Sequence, residues 1–352
     1  MSDLQISLLA IGAVIVAGVY LLNLWQERQL RRRTEQAFAR EHPDVLLGHD
    51  PAERARRLEP SINIDQPSVI QQNKAPLARP AIAIDPVIDY TVEVVLPAPA
   101  EGASLCDELR ALMAAAGKTV LAEGYAESSG GWVDAADGAA YARLRFALQI
   151  SNRAGCVTLN QLAAFRDAVL AWAPPRHGEI KSLEIEAVHA MAVQLDRFCA
   201  DVDIAIGVNV VTADGSPFTG TRIRTLAEKT GLRLEPDGVF YARTGSGDAV
   251  YTLDNHEPMP FVPEQMRALH TRGVTFLLDV PRVSSALAVF EAMLAAARTF
   301  AAELDGTLVD DNRARLTDSA IAAIRKQLEG ILAKMEAGQI GAGGTRALRL
   351  FA

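Results

Sequence analysis

Residues Gly238 to Val280 read GVFYARTGSGDAVYTLDNHEPMPFVPEQMRALHTRGVTFLLDV. Three strands fit this stretch, Gly238–Thr244, Ala249–His256 and Gly273–Val280, because side chains alternate sides along a strand. The alternation places Val239, Tyr241, Val250, Thr252, Asp254, His256, Thr275, Leu277 and Asp279 on one face. Phe240, Ala242, Tyr251, Leu253, Phe276, Leu278 and Val280 fall on the other, which is uniformly apolar and calls for helices packed against it. The first face mixes small, polar and apolar groups. That suits solvent, or a shallow groove for an extended partner.

Outward from this ribbon the same order of elements recurs. A strand at Thr91–Leu96, a helix at Ser104–Ala116 and a strand at Thr119–Ala126 are echoed by a strand at Ile204–Thr212, a helix at Gly220–Thr230 and a strand near Val239–Arg243. The closing helices Ile185–Ala200 and Ala286–Asp305 match in their alanine-rich pattern. Hairpin turns are expected at TGSGD (Thr244–Asp248) and SSGGWVDAADG (Ser128–Gly138). The fold class expected is α+β: a split β-α-β domain, an antiparallel sheet with helices on one face, present twice, at 87–200 in degenerate form and at 201–337. In the C-terminal part Thr317 can cap a helix in which Ile321, Ile324, Leu328, Ile331 and Met335 recur at helical spacing, so it docks as a core helix on the sheet. After it, GAGG is expected to free residues 338–352 as a flexible tail.

At the other end, Leu4 to Leu24 carries no charge, and as a helix it is about 31 Å long, the thickness of a bilayer core. Arg28, Arg31, Arg32, Arg33 and Arg40 follow it. By the positive-inside bias, residues 1–26 are expected to be a single-pass anchor with its N-terminus periplasmic and the bulk of the chain cytoplasmic, with the lipid bilayer as a partner. Residues 27–86, with prolines from Pro43 to Pro86, read as a basic collar and extended linker, of which Ile82–Val87 is a candidate to pack on the domain that follows.

Composition removes several function classes. A net charge of -8 argues against a nucleic-acid partner, whose phosphates require clustered Lys and Arg. Cys106, Cys156 and Cys199 are far apart and form no CxxC, so neither a disulfide framework nor a zinc site is expected. No histidine pairing suggests a metal, and no cofactor is expected. Asp254 and His256 stand two residues apart on a strand with no nucleophile beside them, which favours a surface role over acid–base chemistry. TGSGDAV is flanked by strands and reads as a hairpin, not a phosphate loop. Asp310 and Asp311 are adjacent, so they point apart, and loop capping or solvation is expected of them.

The segments VNVVTADGSPFTG (Val208–Gly220), GVTFLLDVP (Gly273–Pro281) and AAELDGTLVDDNRARLT (Ala301–Thr317) resemble the C-terminal domain of the ZipA family, the bacterial division proteins that tether FtsZ to the membrane. The resemblance covers about Asp203–Ala337 in sequence and the anchor in layout. It implies a non-enzymatic adaptor at the inner membrane of the division site whose exposed sheet face binds the C-terminal peptide of FtsZ. It also implies that the groove includes Ala205, Gly207, Val239, Asp254, His256, Thr275 and Leu277, to which strand parity adds Tyr241. Asp254 and His256 stand where the family pattern tends to small or apolar residues. Two other readings stay open: a membrane-bound hydrolase or small-molecule enzyme using Asp254 and His256, and a scaffold whose two halves pair and bind nothing through the sheet. Oligomeric state does not follow from these residues.

Overall fold

The computed structural model describes residues 83–135 and 138–352. The anchor Leu4–Leu24, the collar and the linker up to residue 82 lie outside the described residues. Among the described residues no helix is long and apolar enough to cross a membrane.

The first half contains β1 (Asp89–Glu101), α1 (Ala103–Met113), β2 (Val120–Ala126), β3 (Gly131–Asp134), β4 (Ala140–Gln149), α2 (Leu159–Trp172), β5 (Glu179–Ser182) and α3 (Ile185–Val202). Its sheet runs β3-β2-β4-β1-β5, with every neighbour antiparallel. The second half contains β6 (Ala205–Thr212), α4 (Gly220–Lys229), β7 (Arg233–Leu234), β8 (Phe240–Arg243), β9 (Ala249–Asn255), β10 (Gly273–Asp279), α5 (Ala286–Glu303), β11 (Gly306–Val309) and α6 (Asp318–Ala337). Here the order is β7-β8-β9-β10-β6-β11, again antiparallel throughout. The expected α+β class with antiparallel sheets is what forms.

Four strands follow one order in both sheets, β2-β4-β1-β5 and β9-β10-β6-β11, and each sheet then differs at its outer edge. In this order the helix between β10 and β11 is α5, and its positional counterpart between β4 and β5 is α2, not α3. The sequence match of Ile185–Ala200 with Ala286–Asp305 therefore pairs the wrong helices. Alanine-rich amphipathic helices resemble one another whatever their place in a fold. The stretch Ser128–Gly138 is likewise more than a turn, since it contains β3.

Each sheet buries one face under helices. In the second half Phe240, Leu253, Phe276 and Leu278 meet Ile223, Phe290, Phe300 and Leu328, all buried. The Phe276 and Phe300 rings meet edge to face at 5.2 Å. Side chains of this size each stabilise the fold by about 1.5–3 kcal/mol when fully buried. Thr317 caps α6 through its hydroxyl, which accepts from the Ala320 amide. Ile321, Leu328 and Met335 are the buried stripe of that helix, which packs on α3 and α5.

The tail is not free. Residues after α6 form a further helix, α7 (Thr345–Leu350), and Ile340, Ala347, Leu350 and Phe351 join Ile88, Cys199, Val202 and Met335 in a third apolar cluster. Gly343 makes this turn possible. It adopts a φ of +71°, a Cβ there would lie 2.2 Å from the Ser284 amide nitrogen, and its own amide donates to Pro281 O at 2.9 Å. The sequence reads GAGG as a release of the chain, but here glycine permits close docking. Arg346 pairs with Asp85 at 2.6 Å, and the guanidinium of Arg349 grips both oxygens of Asp89 at 2.9 and 2.5 Å. Ile84 is also buried, so the end of the linker region does pack on the folded body. From the first half, Arg153 bonds Asp203 and Asp279 together and lies 5.7 Å over the Phe351 ring. The two halves are thus joined through this third cluster, and on the open face of the second sheet the first half reaches Asp279 at one end through Arg153 while Leu277 stays exposed.

Candidate peptide groove

The face of the second sheet turned away from the helices is organised in rows by strand register. Tyr241 stands opposite Thr252, Thr252 opposite Leu277, and Leu277 opposite Gly207, so one row crosses four strands. Beside it run Asp254, Thr275 and Asn209. Ala205 faces Asp279 at the far end. Leu277 is 39% exposed, a large apolar side chain at the middle of a sheet. Val239 sits just before β8 on the same face, half-buried.

The polar groups on this face are engaged with one another. His256 Nδ1 lies 3.2 Å from Thr275 Oγ1, Thr275 donates to Asn209 Oδ1 at 2.6 Å, and Asn209 Nδ2 donates to Asp311 Oδ1 at 3.0 Å. Because the Thr275 hydroxyl proton is used on Asn209, His256 Nδ1 must be the donor in its pair. The relay ends on the Asp311 carboxylate. That carboxylate occupies the space above Gly207, where a Cβ would come within 2.7 Å of Oδ1. Asp310 caps its loop, accepting from the amides of Asn312 and Ala314 at 2.9 and 2.7 Å. Adjacent aspartates therefore divide as expected for Asp310, whereas Asp311 forms a rim of the sheet face.

At the other rim, the Tyr241 hydroxyl donates to Asp237 Oδ2 at 2.6 Å and the Arg243 guanidinium lies 5.2 Å over the Tyr241 ring. The hydrogen bond to Asp237, aided by burial, pushes the Tyr241 phenol up to about 12. A spectrophotometric titration is expected to show one tyrosine ionising in that range, and Asp237→Asn should bring it back down. If the titration of Tyr241→Phe matched that of the unsubstituted protein, this ring would not be the one held.

Asp254 and His256 do not form an acid–base pair. Burial holds the Asp254 carboxyl above its usual range, against the Thr252 hydroxyl that donates to it at 3.1 Å, while His256 turns to Thr275. A hollow of about 660 Å³ on this side of the molecule is lined by neither. It lies instead before Tyr241, Thr252 and Leu277 and extends toward Arg282 and Leu348. Among the described residues no three His, Cys, Asp or Glu side chains are placed to hold a metal ion.

All eight residues expected on this face are there: Ala205, Gly207, Val239, Tyr241, Asp254, His256, Thr275 and Leu277. Thr252 completes the central row, and Asn209 and Asp311 were missed. Asn209 was within reach of strand parity, being two residues beyond Gly207. The matching face of the first half is closed by charge: register sets Glu123 between Asp134 and Arg145, and Glu93 between Arg145 and Lys181. Arg143 bonds Glu93, Arg145 bonds Glu123, and Glu123 also accepts the Ile84 amide at 2.8 Å.

Comparison with known proteins singles out the half that holds the open face. Residues 204–327 match the family described as ZipA, C-terminal FtsZ-binding domain. Cell division protein ZipA of Ectopseudomonas mendocina is 29% identical over 141 residues, which cover 39% of this chain and 52% of the relative. The proteins of the same name from Marinobacter nauticus (32% over 126 residues, 34% of this chain and 37% of the relative) and Pseudomonas aeruginosa PAO1 (31% over 133 residues, 37% and 46%) are similar over the same kind of span. The matched segment spans about half the length of these relatives or less. Across residues 204–327, therefore, this chain is similar to the C-terminal FtsZ-binding domain of the ZipA family.

Proposed function

We propose that the protein is a non-enzymatic adaptor that binds the C-terminal peptide of FtsZ on the open face of the second sheet and, through an anchor at residues 1–26, ties the division ring to the inner membrane. The observation that carries this reading is the row Tyr241–Thr252–Leu277, with Leu277 exposed and Asp311 closing the Gly207 end, inside the segment that matches an FtsZ-binding domain. An extended peptide laid across such a row would bury on the order of 500 Å² of apolar surface, roughly 12 kcal/mol gross, most of which is offset by association and peptide ordering. A micromolar affinity follows. Many anchored copies facing one polymer then hold it by avidity. In this reading the linker supplies reach as far as the clasped residues Ile84 and Asp85, and the first half, with its face neutralised by ion pairs, is a second copy that has lost the groove.

The test is a titration of the full chain in detergent micelles with a labelled peptide copying the FtsZ C-terminus. Leu277→Asp combined with Val239→Asp is expected to weaken binding by at least about 100-fold, near 2.7 kcal/mol, with the circular dichroism spectrum unchanged. Unaltered affinity in the folded double variant would remove the groove from the face proposed for it.

A further inference from the structure

The hollow in front of Leu277 has a wall that the sheet does not supply. Its lining passes from Tyr241, Thr252 and Leu277 to Arg282, Gly343 and Leu348, so the segment after α6 closes one side of it. Leu348 is 42% exposed while its neighbours Ala347 and Leu350 are buried in the joint. It is the outward face of a helix whose inward face is already occupied. Arg282 is exposed on the same rim and makes no ion pair among the described residues. Arg243 across the hollow is held by Glu235 and by the Gly247 carbonyl, and Asp279 is held by Arg153. In a chain of net charge -8, the hollow thus sets two exposed leucines and one guanidinium without an ion pair on one side, with the Asp248 carboxylate, bonded to the Ser246 hydroxyl, at the hairpin end beyond Arg243.

We propose that the bound peptide runs off the sheet onto α7, placing one apolar side chain between Leu277 and Leu348 and a carboxylate on Arg282. This rests on the peptide-binding reading above and extends it, since the occupant is the same peptide and the new element is the carboxylate and apolar side chain that Arg282 and Leu348 call for in it. An extended chain presents alternate side chains on one side at about 7 Å intervals, which lets neighbouring same-side residues meet a leucine and an arginine in turn. The charge on Arg282 supplies the selectivity, because an acidic segment is otherwise repelled by the protein's net charge.

The experiment uses the full chain in detergent micelles, with the labelled FtsZ C-terminal peptide as probe, for the unsubstituted protein, Leu348→Gln, Arg282→Glu and Leu277→Asp. Leu348→Gln and Arg282→Glu are each expected to weaken binding about tenfold. The Arg282→Glu effect should shrink between about 50 mM and about 500 mM salt, as screening predicts, while the Leu348→Gln effect should not. Both substitutions are at exposed positions, and Leu348→Met, which keeps the apolar contact, should bind normally. Unaltered binding in Leu348→Gln and Arg282→Glu, with binding lost in Leu277→Asp, would confine the peptide to the sheet and overturn the inference alone. Absence of binding to the unsubstituted chain would overturn the peptide-binding reading and this extension with it.

Discussion

Arg349→Met is expected to lower the unfolding free energy by about 3–5 kcal/mol, the cost of leaving a buried charge without its partner. The Asp89 side chain is fully buried, and Arg349 supplies donors to both of its oxygens. Without them the carboxylate keeps, among the described residues, the Asp85 amide at 2.8 Å. Burial already holds the Asp89 pKa above its reference of 3.8, against the pull of Arg349, and in the variant it rises further. A carboxyl whose folded pKa exceeds its unfolded one favours the folded state when protonated. Its contribution is therefore fully present below the unfolded value and lost as pH rises through the folded value. The deficit of Arg349→Met should accordingly narrow as pH is lowered toward 3.8 and be widest near neutrality. Urea unfolding across pH, followed by tryptophan fluorescence, measures this. A pH-independent loss below about 1 kcal/mol would mean that the pair behaves as an ordinary surface bridge.

Phe351→Ala is expected to cost about 3–5 kcal/mol as well, as for other buried aromatics cut back to Cβ. It should also change the character of unfolding. Phe351 is buried in the cluster that unites the first half, through Ile88, with the second, through Met335, and its ring underlies the Arg153 guanidinium that joins Asp203 to Asp279. Each half has its own core, so loosening the joint should split one calorimetric transition into two. A single transition displaced by less than about 1 kcal/mol would show that the halves are coupled elsewhere.

Local patterns carried most of the open face. Alternation in 238–280 identified β8, β9 and β10 to within two residues at their ends and assigned each side chain its side, because one face of that sheet is apolar without exception. The stripe of α6 was legible for the same reason, with Ile321, Leu328 and Met335 inward. What failed depends on surfaces distant in sequence. In segment 338–352 the glycines at 338, 341, 343 and 344 read as a release of the chain, whereas Leu350 and Phe351 acquire their burial from Ile88 and Val202, which lie in another half. Asp311 could not be placed because a loop residue's direction is set by its neighbour's cap, here Asp310. The mistaken match of α3 with α5 shows the opposite weakness, since a composition shared by all amphipathic helices holds little information about order.

Under the proposed anchoring, load would enter the molecule at the clasp between its first and last described segments. Arg349 Nη1 reaches the carbonyl of Ala83 at 3.4 Å, beside its grip on Asp89, while Arg346 holds Asp85. Traction arriving along the backbone at Ala83 meets α7 before it can peel β1 from its sheet. Through Gly343 and Pro281 the same stress passes directly to the end of β10, the strand that displays Leu277. The body would then resist as a closed buckle, with two arginines in shear, rather than as two beads on a string unravelling one after the other.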